Sequence, residues 1–562
     1  MISRAPRRSS VHANRAFGCA PRYIYGCRVV TRLSVDVRIQ DPRDDVMLLP
    51  MVLATTSFGT VRGVMHDGIA TFRGIPYAAP PLADLRFRPP QIVEPWPGER
   101  DATKQAAACP QPGLPRLFDK LDHSNTKFVE RYDEDCLTIS VWTPGLDSRS
   151  RPVLVWLHGG WFSVGSGNEP AYDGAHLCQI GDVVVVTVNH RLGALGFLSL
   201  VGHADHDFES SGNNGILDIV AALEWVRDNI SVFGGDPNRV TLFGESGGAS
   251  KVSMLLGVRR ARGLFHRAIL QSGPMLRAVS AERAAAATKT FLAELGVDSI
   301  PELQAAPVSA LLAVQSTVLG GPLGGAYGDG PRMAPTIDGE VLHDHPFDPV
   351  ASDAARGVPL LIGTCRDEAT MLVAVIPGID DLAPEQQVQL LSDNVFGHAL
   401  DDLWPKYGRT RPGATATECF LAAASDQLRI GGIMVAERAI AAGAPAHMYR
   451  LDHVPSVYGG KLGAAHTIDV GFVFANTDAA AGVTSPNRGL YRDPDVPRLT
   501  NEMSQAWIAF ARSGDPSHPA LPQWPRYDLE RRATMIFGPN TGVADDPDAD
   551  ERTLWQGHDA GM

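Results

Sequence analysis

Two apolar, β-branched runs, VLVWL at 153–157 and VVVVTVN at 183–189, show no alternation of polar and apolar positions. A strand covered on both faces has no reason to alternate, so both runs predict buried strands of a largely parallel sheet. Helices must then cover both faces. ILDIVAALEWVRDNI at 216–230 places Ile216, Ile219, Val220, Leu223, Val226 and Ile230 at spacings of three and four, the stripe of one such helix. A shorter strand, VTLF at 240–243, ends at Gly244, and residues 249–256 are suited to a helix. Further strands are predicted at 359–362 and 447–451, and a helix at 499–512 that Ser513-Gly514 stops. Gly- and Pro-rich stretches at 320–335 and 475–497 read as long surface loops. The fold class expected is α/β, a large central sheet flanked by helices.

Composition narrows the function. The 562 residues are 44% apolar and 20% charged, values of an ordinary globular protein with a sizeable core. A net charge of −13 argues against nucleic acid as partner, because phosphate recognition needs a basic surface. No stretch approaches the roughly 18 consecutive apolar residues of a spanning helix, so no integral membrane segment is expected. Residues 1–34 differ from the rest: they hold Arg4, Arg7, Arg8, Arg15, Arg22, Arg28 and Arg32 but no acid. Residues 1–50 therefore read as a poorly structured arm, either a targeting segment or a stretch preceding a true start at Met47 or Met51, with 51–562 as a single domain. No secretory signal is evident near Met1, and the compartment stays open between cytoplasmic and exported. The seven cysteines form no CxxC pair or His/Cys cluster, so no metal is expected, and nothing implies an organic cofactor.

The chemistry centres on Gly244-Glu245-Ser246-Gly247-Gly248. Strand, sharp turn and helix around a Gly-x-Ser-x-Gly motif expose the serine oxygen, and the helix aims its first amides at developing negative charge. Glycines two before and two after the serine let strand and helix approach without a Cβ. Upstream, the strand at 153–157 runs directly into His158-Gly159-Gly160, backbone able to present N–H groups to an oxyanion.

Together these segments resemble the type-B carboxylesterase family, which includes cholinesterases and bacterial para-nitrobenzyl esterases. FGGDPNRVTLFGESGG at 233–248 is similar to the family's serine signature, and EDCLTISVWTP at 134–144 to its second signature. FRGIPYAAPP at 72–81, NHRLGALGFL at 189–198, GTCRDE at 363–368 and GAAHTIDVGFVF at 463–474 extend the likeness over roughly residues 54 to 537. The resemblance implies an α/β-hydrolase fold and a small-molecule ester as substrate. It also implies a triad of Ser246 as nucleophile, Glu368 as acid and His466 as base, with Asp367 a rival to Glu368. By the same likeness the oxyanion donors are the N–H groups of Gly160, Trp161 and Gly247, and Cys109 and Cys136 form a disulfide.

Two positions depart from the family pattern. Trp161 stands where the family has Gly or Ala, and its bulk predicts a restricted acyl or alcohol site. Gly247 stands where many members have Ala, a change expected to keep the donor while loosening the helix start. Ester hydrolysis through an acyl-enzyme is the function expected. An amidase, carbamate hydrolase or lactone hydrolase would use the same triad, and a non-catalytic adhesion protein of this fold would lack part of it.

Overall fold

The two unalternating runs lie side by side in the middle of one sheet, and each inserts alternate side chains into two separate apolar layers. In the computed structural model, which describes residues 50–112, 131–203, 206–319, 332–376, 378–396, 398–477 and 490–558, that sheet has thirteen strands. They are β1 (Met51–Thr56), β2 (Gly59–His66), β3 (Ile69–Pro76), β4 (Glu99–Asp101), β5 (Thr138–Thr143), β6 (Arg151–Leu157) and β7 (Val184–Val188). There follow β8 (Gly235–Glu245), β9 (Arg267–Gln271), β10 (Leu360–Cys365), β11 (Ala446–Leu451), β12 (Ala533–Phe537) and β13 (Gly542–Asp545). The order across the sheet is β1-β2-β3-β5-β7-β6-β8-β9-β10-β11-β12-β13, with β4 paired to β2. From β7 to β12 along that order all pairs are parallel; β1, β2, β3, β5 and β7 pair antiparallel in turn, as do β12 and β13, and the short β4 lies parallel to β2. This is the α/β-hydrolase architecture.

On β6, Val153, Val155 and Leu157 enter one layer, and Leu154 and Trp156 the other. The helix Asn214–Asn229 covers the first layer through Ile216, Ile219, Val220, Leu223 and Val226. The helix Val496–Ser513, ended by Gly514 at φ 80°, covers the second through Leu499, Met503 and Trp507. Both helices match their expected ranges to within a turn.

A third helix, Ala416–Ala441, carries no such stripe because the protein surrounds it. Among the described residues it alone is long and apolar enough to cross a bilayer, yet its apolar window is 83% buried in the protein. Thr415 caps it, accepting the Glu418 N–H at 3.2 Å while the Glu418 carboxylate accepts the Thr415 N–H at 2.7 Å.

Two family-like segments contribute ion pairs, one buried and one part-buried. Arg191 of the 189–198 segment binds Asp218 of the helix Asn214–Asn229 through Nε at 2.9 Å and Nη2 at 2.6 Å, both residues hidden from solvent. Glu134 receives Arg86 in the same two-pronged way, at 2.7 and 2.5 Å. The bridge expected between Cys109 and Cys136 is not formed. Both are free, buried thiols, already engaged: Cys109 Sγ accepts the Leu192 N–H at 3.3 Å, and the Cys136 thiol is pushed up by its hydrogen bond to Cys109 and by burial. The arm at 1–49 and most of the two long surface loops, 320–331 and 478–489, lie outside the described residues.

Candidate active site

Ser246 forms the turn between β8 and the helix Gly247–Leu255, with φ 56° and ψ −124°, a region seldom occupied by residues with side chains. The surroundings hold it there. Its N–H donates to Gln271 O at 2.8 Å, and its carbonyl accepts the Ser250 N–H at 3.0 Å. A Cβ at Gly244 would lie 2.6 Å from the carbonyl carbon of Gly248, and one at Gly248 only 2.0 Å from Leu157 O. Strand and helix can close on this turn only because both positions are glycine, and the closure leaves the serine lining a cavity of about 270 Å³.

Glu368 follows β10 and His466 follows β11, so all three expected triad residues sit beyond the carboxyl ends of parallel strands. Open α/β sheets collect ligands at that edge. His466 Nδ1 donates to Glu368 Oε2 at 2.5 Å, and Glu368 Oε1 accepts the Cys365 N–H at 2.7 Å. The rival Asp367 turns elsewhere: its carboxylate accepts the Ala464 N–H at 2.8 Å and the Arg366 guanidinium at 2.7 Å, and its N–H donates to Ala464 O at 2.9 Å. Asp367 thus laces the acid turn to the histidine turn, and Glu368 meets the imidazole.

The other imidazole nitrogen holds a finding that the motif did not reveal. His466 Nε2 makes no hydrogen bond to Ser246 Oγ; it lies 3.3 Å from Glu245 Oε1. Glu245 occupies the variable position of Gly-x-Ser-x-Gly, is 2% exposed, and its carboxyl is raised by burial. Burial lowers the His466 pKa, but Glu245 and Glu368 outweigh it and the net shift is upward.

The loop leaving β6 forms the opposite wall. Gly160 has φ 86° and Trp161 φ 55°, the latter unusual for a bulky residue, and the half-buried indole lines the cavity. A Cβ on Gly247 would lie 2.3 Å from Trp161 N, 2.4 Å from its Cα and 2.5 Å from its O. The three expected oxyanion donors therefore belong to backbones in direct contact. Glycine at 247 does more than loosen the helix start: it gives the Trp161 backbone its space. Glu169, Glu245 and Glu368 also line the cavity, and no Lys or Arg does so among the described residues.

The carboxylesterase family profile matches residues 50–555. The chain belongs to that family. This carboxylesterase is 38% identical to the phenmedipham hydrolase of Pseudarthrobacter oxydans over 86% of the chain and 95% of that protein. It is 35% identical to the para-nitrobenzyl esterase of Bacillus subtilis (strain 168), over 89% and 97%. Among solved structures, a Geobacillus stearothermophilus carboxylesterase superposes with a TM-score of 0.77 at 36% identity, covering 90% of this chain and all of that one. Membership at this coverage makes the protein a type-B carboxylic ester hydrolase acting on small-molecule esters.

Proposed function

We propose that this carboxylesterase works through a Ser246–His466–Glu368 triad and an acyl-enzyme. The observation that supports it most is the 2.5 Å bond from His466 Nδ1 to Glu368, in a ring that lines the same cavity as Ser246. His466 Nε2 takes the Ser246 proton as Oγ attacks the ester carbonyl, forming a C–O bond to the serine. The tetrahedral oxyanion is met by the N–H groups of Gly160, Trp161 and Gly247. On collapse the bond to the alcohol breaks, and the imidazolium returns the proton to the departing oxygen. Water repeats the sequence on the acyl-serine and releases the carboxylic acid. Glu368 keeps the proton on Nδ1 and stabilises the imidazolium. The Oγ–Nε2 bond forms with substrate in place, as catalytic hydrogen bonds that are long in empty enzymes commonly do.

The lining bears on the choice of ester. A lining of carboxyl groups and the Trp161 indole, with no Lys or Arg among the described residues, suits uncharged esters and disfavours a carboxylate beside the scissile bond. Rapid mixing with a chromogenic phenyl ester tests the mechanism. A burst of phenol close to one equivalent per enzyme, absent in Ser246→Ala, is expected; hydrolysis persisting at the wild-type rate in that variant would refute the triad.

A further inference from the structure

The helix that begins at Gly247 carries a lysine where an apolar residue would be easier to bury. Lys251 lies just over one turn beyond Ser246 and is 0% exposed. Among the described residues no carboxylate pairs with it. Its neighbours are the Phe162 ring, whose centroid is 6.0 Å from Nζ, and the imidazoles of His158 and His190, which stack at 4.9 Å and are both held down by burial and then by Lys251. Burial pushes the amine down to about 7, so near neutrality it needs no counter-ion. Leucine or methionine would remove this desolvation penalty at little cost in packing.

Among the described residues the amine makes one hydrogen bond. Nζ donates to His158 O at 2.9 Å. His158 is the first residue past β6, where the ladder to β7 and β8 has ended at Leu157, so its carbonyl has lost its strand partners. The next carbonyl, Gly159 O, accepts from His158 Nδ1 at 2.8 Å. A trans peptide is planar and its C=O and following N–H point in opposite directions, so a fixed carbonyl fixes the next amide. The Lys251 contact thus sets the peptide joining His158 to Gly159. The His158 contact sets the peptide joining Gly159 to Gly160, and with it the direction of the Gly160 N–H.

We propose that Lys251 is a positioning residue which, by fixing the His158 backbone whose imidazole in turn holds Gly159 O, aims the Gly160 N–H at the carbonyl attacked by Ser246. The device ties the helix of the nucleophile to the loop of the donors by one amine-to-carbonyl bond. It rests on the oxyanion-hole reading above.

The test compares Lys251→Met with wild type. Methionine fills nearly the same volume and cannot donate. The expected result is a fall in kcat of about 10- to 100-fold with KM within about 2-fold, since misaimed donors lose transition-state rather than ground-state binding. The affinity for a trifluoromethyl ketone should fall by the same factor, while Tm holds or rises because a buried amine has gone. Lys251→Gln, which keeps a donor, should recover part of the loss. Wild-type kcat and ketone affinity in the methionine variant would overturn the proposal, as would a loss of kcat with unchanged ketone affinity. Should that variant not fold, His158→Phe removes the second bond and must show the same split between kcat and KM. Failure of the triad reading itself would appear separately, as absence of Ser246 labelling by a fluorophosphonate in the wild-type enzyme.

Discussion

Gly247 has no side chain where a Cβ would stand 2.3 Å from the backbone nitrogen of Trp161. The two residues share a space that only one of them can fill. Trp161 holds φ 55°, which a glycine in its place would adopt freely and a tryptophan adopts only under constraint. Gly247→Ala is therefore expected to push the Trp161 amide out of the site and lower kcat/KM by about 100-fold, the effect of losing one oxyanion donor. Trp161→Gly in the same chain should restore part of that loss. A double-mutant cycle on kcat/KM measures the coupling, and additive effects would contradict the contact.

The indole also predicts selectivity. Trp161→Ala should raise kcat/KM for esters with bulky acyl or alcohol groups by roughly 10-fold relative to acetate esters, the range that a change of pocket volume supports. A panel of esters graded in size reads this directly. An unchanged ratio would show that the indole does not limit the pocket.

The acid of the triad and its neighbour should separate cleanly. Glu368→Gln removes the partner of the 2.5 Å bond to His466 Nδ1 and is expected to lower kcat by about 10³- to 10⁴-fold. Asp367→Asn breaks the lacing to Ala464 and Arg366, so its expected signature is a lower Tm with a much smaller change in kcat. Kinetics and thermal unfolding of both variants distinguish the roles.

The acid limb of the pH profile carries the electrostatics of the site. His466 must be neutral to accept a proton, and Glu245 and Glu368 raise its pKa, so activity is lost on acidification at a pH above the ordinary histidine range. Glu245→Gln removes one carboxylate from beside the imidazolium. The limb in kcat/KM should then move to lower pH, by about one unit for ~1.4 kcal/mol of lost interaction. A limb that stayed in place or moved upward would contradict the 3.3 Å contact as an electrostatic one.

Much of this site was legible in the chain because glycine spacing and strand runs are local. Gly244 and Gly248 mark where strand meets helix, and the unalternating runs at 153–157 and 183–189 mark the sheet centre. The helix Ala416–Ala441 escaped notice because burial on every side removes the polar face that a helical pattern needs. The antiparallel strands β1 to β3 were missed as well, since their pairing rests on contacts across the sheet. Glu245 was invisible as more than a spacer because its contact, His466, lies more than two hundred residues away. Nothing in the sequence around Lys251 marks it, because its burial and its bond to His158 O arise only when the helix packs under the oxyanion loop. Cys109 and Cys136, for which the family resemblance implies a disulfide, are hydrogen-bonded free thiols in the structure.

The identity of the nucleophile is the centre of the account, and covalent labelling tests it most directly. The enzyme is treated with a fluorophosphonate, digested and mapped by mass spectrometry. One label on the peptide containing Ser246 is expected, absent in Ser246→Ala and greatly slowed in His466→Ala. A label on another residue with full loss of activity, or no label on an active enzyme, would contradict it.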